Sequence, residues 1–224
     1  MKSIYIRIIV AVMFASSVIA SAQGTFQDLN FEEANPVYAG SPYPAYEVTT
    51  ASALPGWTVY YGTTQEAVVG YNTESLGATQ VDLLGASYGA IEGNYSVLLQ
   101  GGIEPSVPAT ISQYGMIPAA TETLFFEAQP GRGTLDVSIG SQIVPFSAVG
   151  SGANYTLYGA NISAWAGDPE LLTFSALPPV SSDNNWLIDD ISFSTNAPSP
   201  EPSIVALTAI GGLLFGARKW FARR

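Results

Sequence analysis

Leu124-Phe125-Phe126-Glu127-Ala128 breaks off at Pro130-Gly131, and Leu135-Asp136-Val137-Ser138-Ile139 then alternates apolar and polar residues up to Gly140. Successive side chains on a strand point to opposite faces, so short apolar or alternating runs closed by Pro and Gly read as strands joined by turns. The texture extends both ways. Upstream, Val97-Leu98-Leu99 sits between Gly93-Asn94 and Gly101-Gly102. Downstream, residues 154–158, 162–165 and 171–175 follow in the same style, and 186–194 alternates through Leu187, Ile188, Ile191 and Phe193. Residues 66–84 read as loop with one or two short strands. No amphipathic helix longer than two turns and no repeat of fixed period stands out between the two ends. Strands at this spacing predict an all-β fold, a jelly-roll β-sandwich of two facing sheets with a core about 10 Å thick. The sandwich is expected to occupy residues 23–196, the size of one ordinary domain.

Charge is distributed unevenly. The chain has 7 basic and 18 acidic residues and neither Cys nor His. Lys2, Arg7, Arg218, Lys219, Arg223 and Arg224 lie near the ends, and Arg132 is the single base among 18 acids in residues 23–202, a net charge of −17 for that part. Such a surface repels nucleic acid, whose phosphates need Lys and Arg, and attracts divalent cations. Without His or Cys, Ser-His-Asp and Cys-His catalysis and His-based zinc sites are excluded. Paired carboxylates remain able to hydrolyse glycosides. No motif singles out such a pair, and a non-enzymatic role is expected. The Gly101-Gly102 and Gly131-Arg132-Gly133 segments lack the phosphate-loop pattern and read as turns.

Both ends carry sorting features. Lys2 and Arg7 precede an apolar run over 8–19, and Ala20-Ser21-Ala22 supplies small residues for cleavage after Ala22. Residues 1–22 therefore read as a secretory signal peptide, the alternative being an N-terminal anchor. At the other end, 197–202 is a Pro- and Ser-rich linker, 203–217 is uncharged, and Arg218, Lys219, Arg223 and Arg224 close the chain. A helix over the 15 residues of 203–217 is roughly 22 Å long, against a bilayer core of about 30 Å. It is marginal as a permanent anchor, and its basic end would stay cytoplasmic.

The order of Pro200-Glu201-Pro202, apolar helix and basic end, including Arg218 and Lys219, resembles the PEP-CTERM sorting signal. The resemblance implies an exosortase-type processing enzyme as partner. It also implies inner-membrane anchoring through the tail, followed by the cell surface, extracellular matrix or exopolysaccharide. The basic cluster departs from the family pattern, being split by Trp220, Phe221 and Ala222.

A second resemblance spans most of the exported part. Leu29-Asn30-Phe31-Glu32, Leu54-Pro55-Gly56-Trp57, Gly93-Asn94-Tyr95-Ser96, Ile111-Ser112-Gln113 and Trp186-Leu187-Ile188-Asp189-Asp190-Ile191 follow in an order similar to galactose-binding-like jelly rolls, which include many carbohydrate-binding modules. The resemblance implies that the first and last strands lie side by side. It further implies a possible structural calcium there, with Glu32, Asp189 and Asp190 as candidate ligands and Asp28 and Glu33 as weaker ones. No other cofactor is expected. Strand alternation places Asp189 opposite Ile188 and Asp190 on the face of Ile188, so only one of the two readily meets the ion with Glu32. Trp57, Trp165 and Trp186 are expected to plug the core, the alternative being sugar platforms. Tyr38, Tyr43, Tyr46, Tyr60 and Tyr61 are the candidate sugar-stacking residues. The expected role is an exported, non-catalytic, envelope- or exopolysaccharide-associated protein, with a carbohydrate-binding module as the alternative and a glycoside-active enzyme third. Clustering of the tyrosines on one open face would favour sugar binding.

Overall fold

The computed structural model describes residues 25–73, 77–131, 133–179 and 184–198. The expected signal peptide, Pro200-Glu201-Pro202, the apolar tail, Arg218 and Lys219 lie outside them. In chain order the strands are β1 (Glu47–Thr49), β2 (Thr58–Tyr61), β3 (Thr64–Glu66), β4 (Val68–Tyr71), β5 (Gln80–Gly85), β6 (Tyr95–Gly101) and β7 (Ala109–Met116). They continue with β8 (Thr123–Pro130), β9 (Leu135–Ile139), β10 (Gln142–Ile143), β11 (Phe146–Ser151), β12 (Thr156–Asn161), β13 (Pro169–Ala176) and β14 (Asn184–Ser194). One helical turn, α1 (Thr50–Ala53), follows β1.

Two sheets form a jelly-roll sandwich. The larger runs β1-β4-β5-β6-β14-β8-β12-β11 and the smaller β10-β9-β13-β7-β2-β3. Neighbours are antiparallel except β4 and β5. The alternation read from the sequence decides which side chains meet between them. Val59, Ile111, Val137, Leu172 and Phe174 from the smaller sheet pack against Leu83, Val97, Leu99, Phe126 and Ile188 from the larger. Phe126 and Phe174 touch edge to face across the layers, centroids 5.3 Å apart. Trp57 is buried and donates its indole N–H to the Asp28 carbonyl at 3.1 Å, which satisfies its one polar atom. Trp186 is buried and Trp165 half-buried against the same core, as expected of core plugs. A smaller cluster of Leu84, Ile91, Leu98 and Leu187 lies on the outer face of the larger sheet, with Tyr155 against it.

Residues 66–84 hold β4 and β5, in line with the expected short strands. Residues 162–165 differ from the strand reading. Asn161 Oδ1 accepts from both the N–H and the hydroxyl of Ser163, which turns the chain into a 3₁₀ turn over Ser163–Trp165. An Asn side chain that mimics a backbone turn ends a strand despite apolar residues beyond it. Among the described residues no helix is long and apolar enough to cross a membrane.

Candidate functional site

Among the described residues, two places bring chemically active side chains together. The first is the seam between the N-terminal segment and the last strand. Ile191 N–H donates to the Leu29 carbonyl at 2.9 Å, so residues 25–34 run beside β14. Three non-glycine residues here have left-handed backbones: Asp28 (φ 46°), Phe31 (φ 58°) and Asp190 (φ 40°). Each such residue costs on the order of 1–3 kcal/mol, and they gather at functional sites. The β14–β8 register shifts between Asp189 and Ser192. That bulge changes the expected placement of Asp190. Alternation would have put it on the core face with Ile188. Instead the extra residue is absorbed at Asp190, and Ile191 resumes the core face.

A pocket of about 280 Å3 opens at the seam, lined by Asn30, Glu32, Glu92, Gly93, Asp189 and Asp190. All three expected metal residues reach it. Glu32 is anchored on the 93–95 turn. Its Oε1 accepts from the Asn94 N–H at 2.6 Å and the Tyr95 N–H at 3.0 Å, and its Oε2 accepts from the Asn94 amide at 2.7 Å. Partial burial pulls its carboxyl upward, but these bonds outweigh that and hold it below the usual range. Gly93 makes the approach possible: its φ is +58°, and a Cβ there would stand 2.3 Å from Glu32 Oε1.

Asp189 is buried. Its Oδ2 accepts from the Ser96 hydroxyl at 2.6 Å and the Glu92 N–H at 3.2 Å, and its Oδ1 accepts from the Asp190 N–H at 2.8 Å. Burial pushes this carboxyl up to about 6 despite those bonds. Every carboxylate oxygen of Glu32 and Asp189 thus already accepts a protein hydrogen bond, a weak starting point for an ion ligand. Of the weaker candidates, Asp28 is buried, accepts the Glu33 N–H at 2.9 Å through Oδ1, and leaves Oδ2 without a partner.

Two residues at the seam were missed from the sequence. Glu92, Glu127 and Asp190 each offer a carboxylate oxygen, and these lie within 4.8 Å of one another. Glu127 stands opposite Asp189 on β8. Burial raises its carboxyl, a hydrogen bond from the Tyr155 hydroxyl works against that, and the charges of Asp190 and Glu92 raise it further. The available signal was an acid inside the otherwise apolar run 124–128.

The second place is a cleft of about 440 Å3 where the β1 end of the larger sheet meets the β3 edge of the smaller. Tyr43, Tyr46, Tyr61, Glu47, Glu66 and Gln80 are among its lining residues. Tyr43 and Tyr46 are 44% and 50% exposed. Tyr61 is half-buried, its hydroxyl accepting the Val81 N–H at 3.1 Å, and burial pushes that hydroxyl far above its usual range. Burial, helped by the charge of Glu66, raises the Glu47 carboxyl. Tyr38 stands nearby, bridged to Val48 of β1 and edge-on to Tyr71 at 6.5 Å. Tyr60 belongs to the other face of β2, since its neighbours Val59 and Tyr61 both pack on the core. The structure therefore brings three of the five expected tyrosines into one cleft, with Tyr38 beside it and Tyr60 elsewhere.

No family model matches the chain, and no curated protein matches it. Among solved structures it is similar to the carbohydrate-binding module TmCBM61 in complex with β-1,4-galactotriose, at 16% identity and a TM-score of 0.38, over 77% of this chain and 99% of that one.

Proposed function

We propose that the chain is an exported, non-catalytic module that binds polysaccharide in the cleft beneath Tyr43 and Tyr46. One observation carries this reading: two exposed tyrosines share an open cleft with Glu47, Glu66 and Gln80. A pyranose ring has an apolar C–H face and a rim of hydroxyls. Tyrosine offers a flat apolar surface with few rotatable bonds, and carboxylate and amide oxygens accept from the rim. A few convergent polar groups beside aromatic surface are what a small-ligand site needs. The terminal segments supply the route: a signal peptide for export, then a tail held in the bilayer until an exosortase-type enzyme processes it at Pro200-Glu201-Pro202. The excess of acids over bases argues against nucleic acid as a ligand.

The test is a glycan screen with the full-length chain in detergent, followed by titration of the best oligosaccharide against Tyr43→Ala and Tyr46→Ala. Each substitution is expected to weaken binding roughly tenfold, about 1.4 kcal/mol, with no new reducing ends released. Binding that both variants retain in full would remove the cleft from the reading. No binding to any glycan would leave a structural matrix protein in its place.

A further inference from the structure

The tyrosine cleft carries a negative charge that a neutral sugar does not answer. Glu47 of β1 and Glu66 of β3 both line it, and beyond the effect of burial the charge of Glu66 bears on the Glu47 carboxyl. Glu47 Oε2 is buried and has no hydrogen-bond partner. A third carboxylate lies beside them. Gly70 pairs with Glu47 on one side and with Asp82 on the other, so these residues form a row across β1, β4 and β5 on one face of the sheet. Gly70 lines the cleft, and a Cβ there would overlap Asp82 Oδ1, so glycine is what lets this buried carboxylate approach. Asp82 Oδ1 accepts from the Gln80 amide at 3.1 Å, a neutral donor that leaves the charge in place. Beyond the effect of burial, the charges of Asp82, Glu66 and Glu47 all bear on the Tyr61 hydroxyl. Lys, Arg and His do not occur among the described residues, so no described side-chain cation balances the three. A buried carboxylate oxygen left without a donor is costly unless something positive meets it. The exposed Tyr43 and Tyr46 of the same cleft add ring faces, which attract a cation as well as stack on a sugar.

We propose that the polysaccharide of this cleft is an amino-sugar polymer with free, protonated amino groups, its ammonium held by Glu47 and Glu66 and its ring against Tyr43 and Tyr46. The inference rests on the reading of the cleft as a sugar site and names the sugar. A primary ammonium has three N–H donors and no acceptor, enough to serve both carboxylates, the unpartnered Glu47 Oε2 included. Hydrogen bonds between charged partners are roughly twice as strong as neutral ones. A neutral hexose brings only hydroxyls and leaves the like charges of Glu47 and Glu66 unbalanced. N-acetylation removes the positive charge and adds bulk at the same nitrogen. A uronic acid brings a further negative charge and is repelled, so selectivity comes from rejection as well as attraction. A bare metal ion would answer the carboxylates but make no use of the tyrosine rings. The acidic surface around the cleft draws a cationic polymer toward it.

Calorimetric titration of the full-length chain in detergent, at neutral pH and low salt, compares three probes of equal length. They are the β-1,4-linked tetramers of glucosamine, N-acetylglucosamine and glucose. The glucosamine tetramer is expected to bind at least roughly tenfold more tightly than either of the others, and to lose most of that lead at high salt. Glu47→Gln and Glu66→Gln should each cut the lead to within about threefold. Glu47→Gln should not lower Tm, since it removes an unpartnered charge rather than a bond. Glu122→Gln, at an exposed acid beside β8, should leave the lead intact, which separates a site from general attraction to an acidic surface. Equal or weaker binding of the glucosamine tetramer, with a preferred glycan still weakened by Tyr43→Ala, would overturn the amino-sugar inference and leave the sugar cleft standing. A lead that persists in both Glu47→Gln and Glu66→Gln, or that falls as much in Glu122→Gln, would overturn it too. Binding that Tyr43→Ala and Tyr46→Ala both retain in full would instead remove the cleft itself, and no glycan binding at all would take down both readings.

Discussion

Asp28 combines a left-handed backbone, a buried carboxyl and one oxygen without a donor. Burial first, then the charges of Glu33 and Glu32, lift it to about 6 from 3.8, against the pull of the Glu33 N–H. The folded state therefore holds this proton after the unfolded chain has released it. Stability falls as pH rises from about 4 to 6, and the whole penalty is present above that. Asp28→Asn keeps the Oδ1 acceptor and suits a positive φ. It is expected to raise stability by up to about 2 kcal/mol at pH 7.5, after allowance for solvent screening, and hardly at all at pH 4. Melting curves at the two pH values check this, and an equal gain at both would sink the titration argument. At this scale the sequence was informative only in part. Glu32 and Asp189 were legible as seam residues from their positions in the loose motifs, although Glu32 lies in the turn-rich segment before β1 and not on a first strand beside β14. Their actual partners, the N–H groups of Glu92, Asn94 and Tyr95 and the Ser96 hydroxyl, depend on a turn that no spacing encodes. Glu127 passed unnoticed because one acid in a strand usually faces water.

Strands were legible as elements because Gly and Pro close each apolar run and alternation marks the inner face. Phe126 shows what that alternation builds. It stacks on Tyr158 at 5.3 Å and 19°, meets Phe146 at 5.2 Å, and reaches Phe174 in the opposite layer. Phe126→Ala is expected to cost about 3–5 kcal/mol in chemical denaturation, because the rings around it cannot all collapse into the space left. A loss below about 1 kcal/mol would mean that this aromatic group is not the keystone of the core. Two elements escaped the reading for local reasons. The Asn161 side chain turned 162–165 away from the sheet, and one extra residue at the bulge reversed the side chain of Asp190. Neither event leaves a mark in a pattern of period two.

For the molecule as a whole, the spacing of short runs between turn residues marked the all-β class, but pairing order depends on contacts between distant segments and was not legible. The tyrosine cleft shows this best. Tyr43 and Tyr46 are near in sequence, whereas Tyr61, Glu66 and Gln80 reach them only because the β1 and β3 edges of the two sheets lie together. The sorting reading makes its own prediction. Intact mass of the protein from its native host, taken by cell fraction, should show loss of residues 1–22 and of the tail near Pro200-Glu201-Pro202. A mass that still includes Arg224, found in the membrane fraction, would rule out exosortase processing and leave a tethered surface domain.

β14 is the final strand among the described residues, yet it lies between β6 and β8 in the interior of the larger sheet. A nascent chain that has not reached Asn184 consequently presents two separate half-sheets, each with a bare edge beside the gap. Those edges are sticky toward any passing strand. The seam pocket is equally incomplete, since Asp189 and Asp190 arrive with the same strand. Closure of the larger sheet therefore waits for β14, and its two bare edges must be kept from neighbouring chains until that strand arrives.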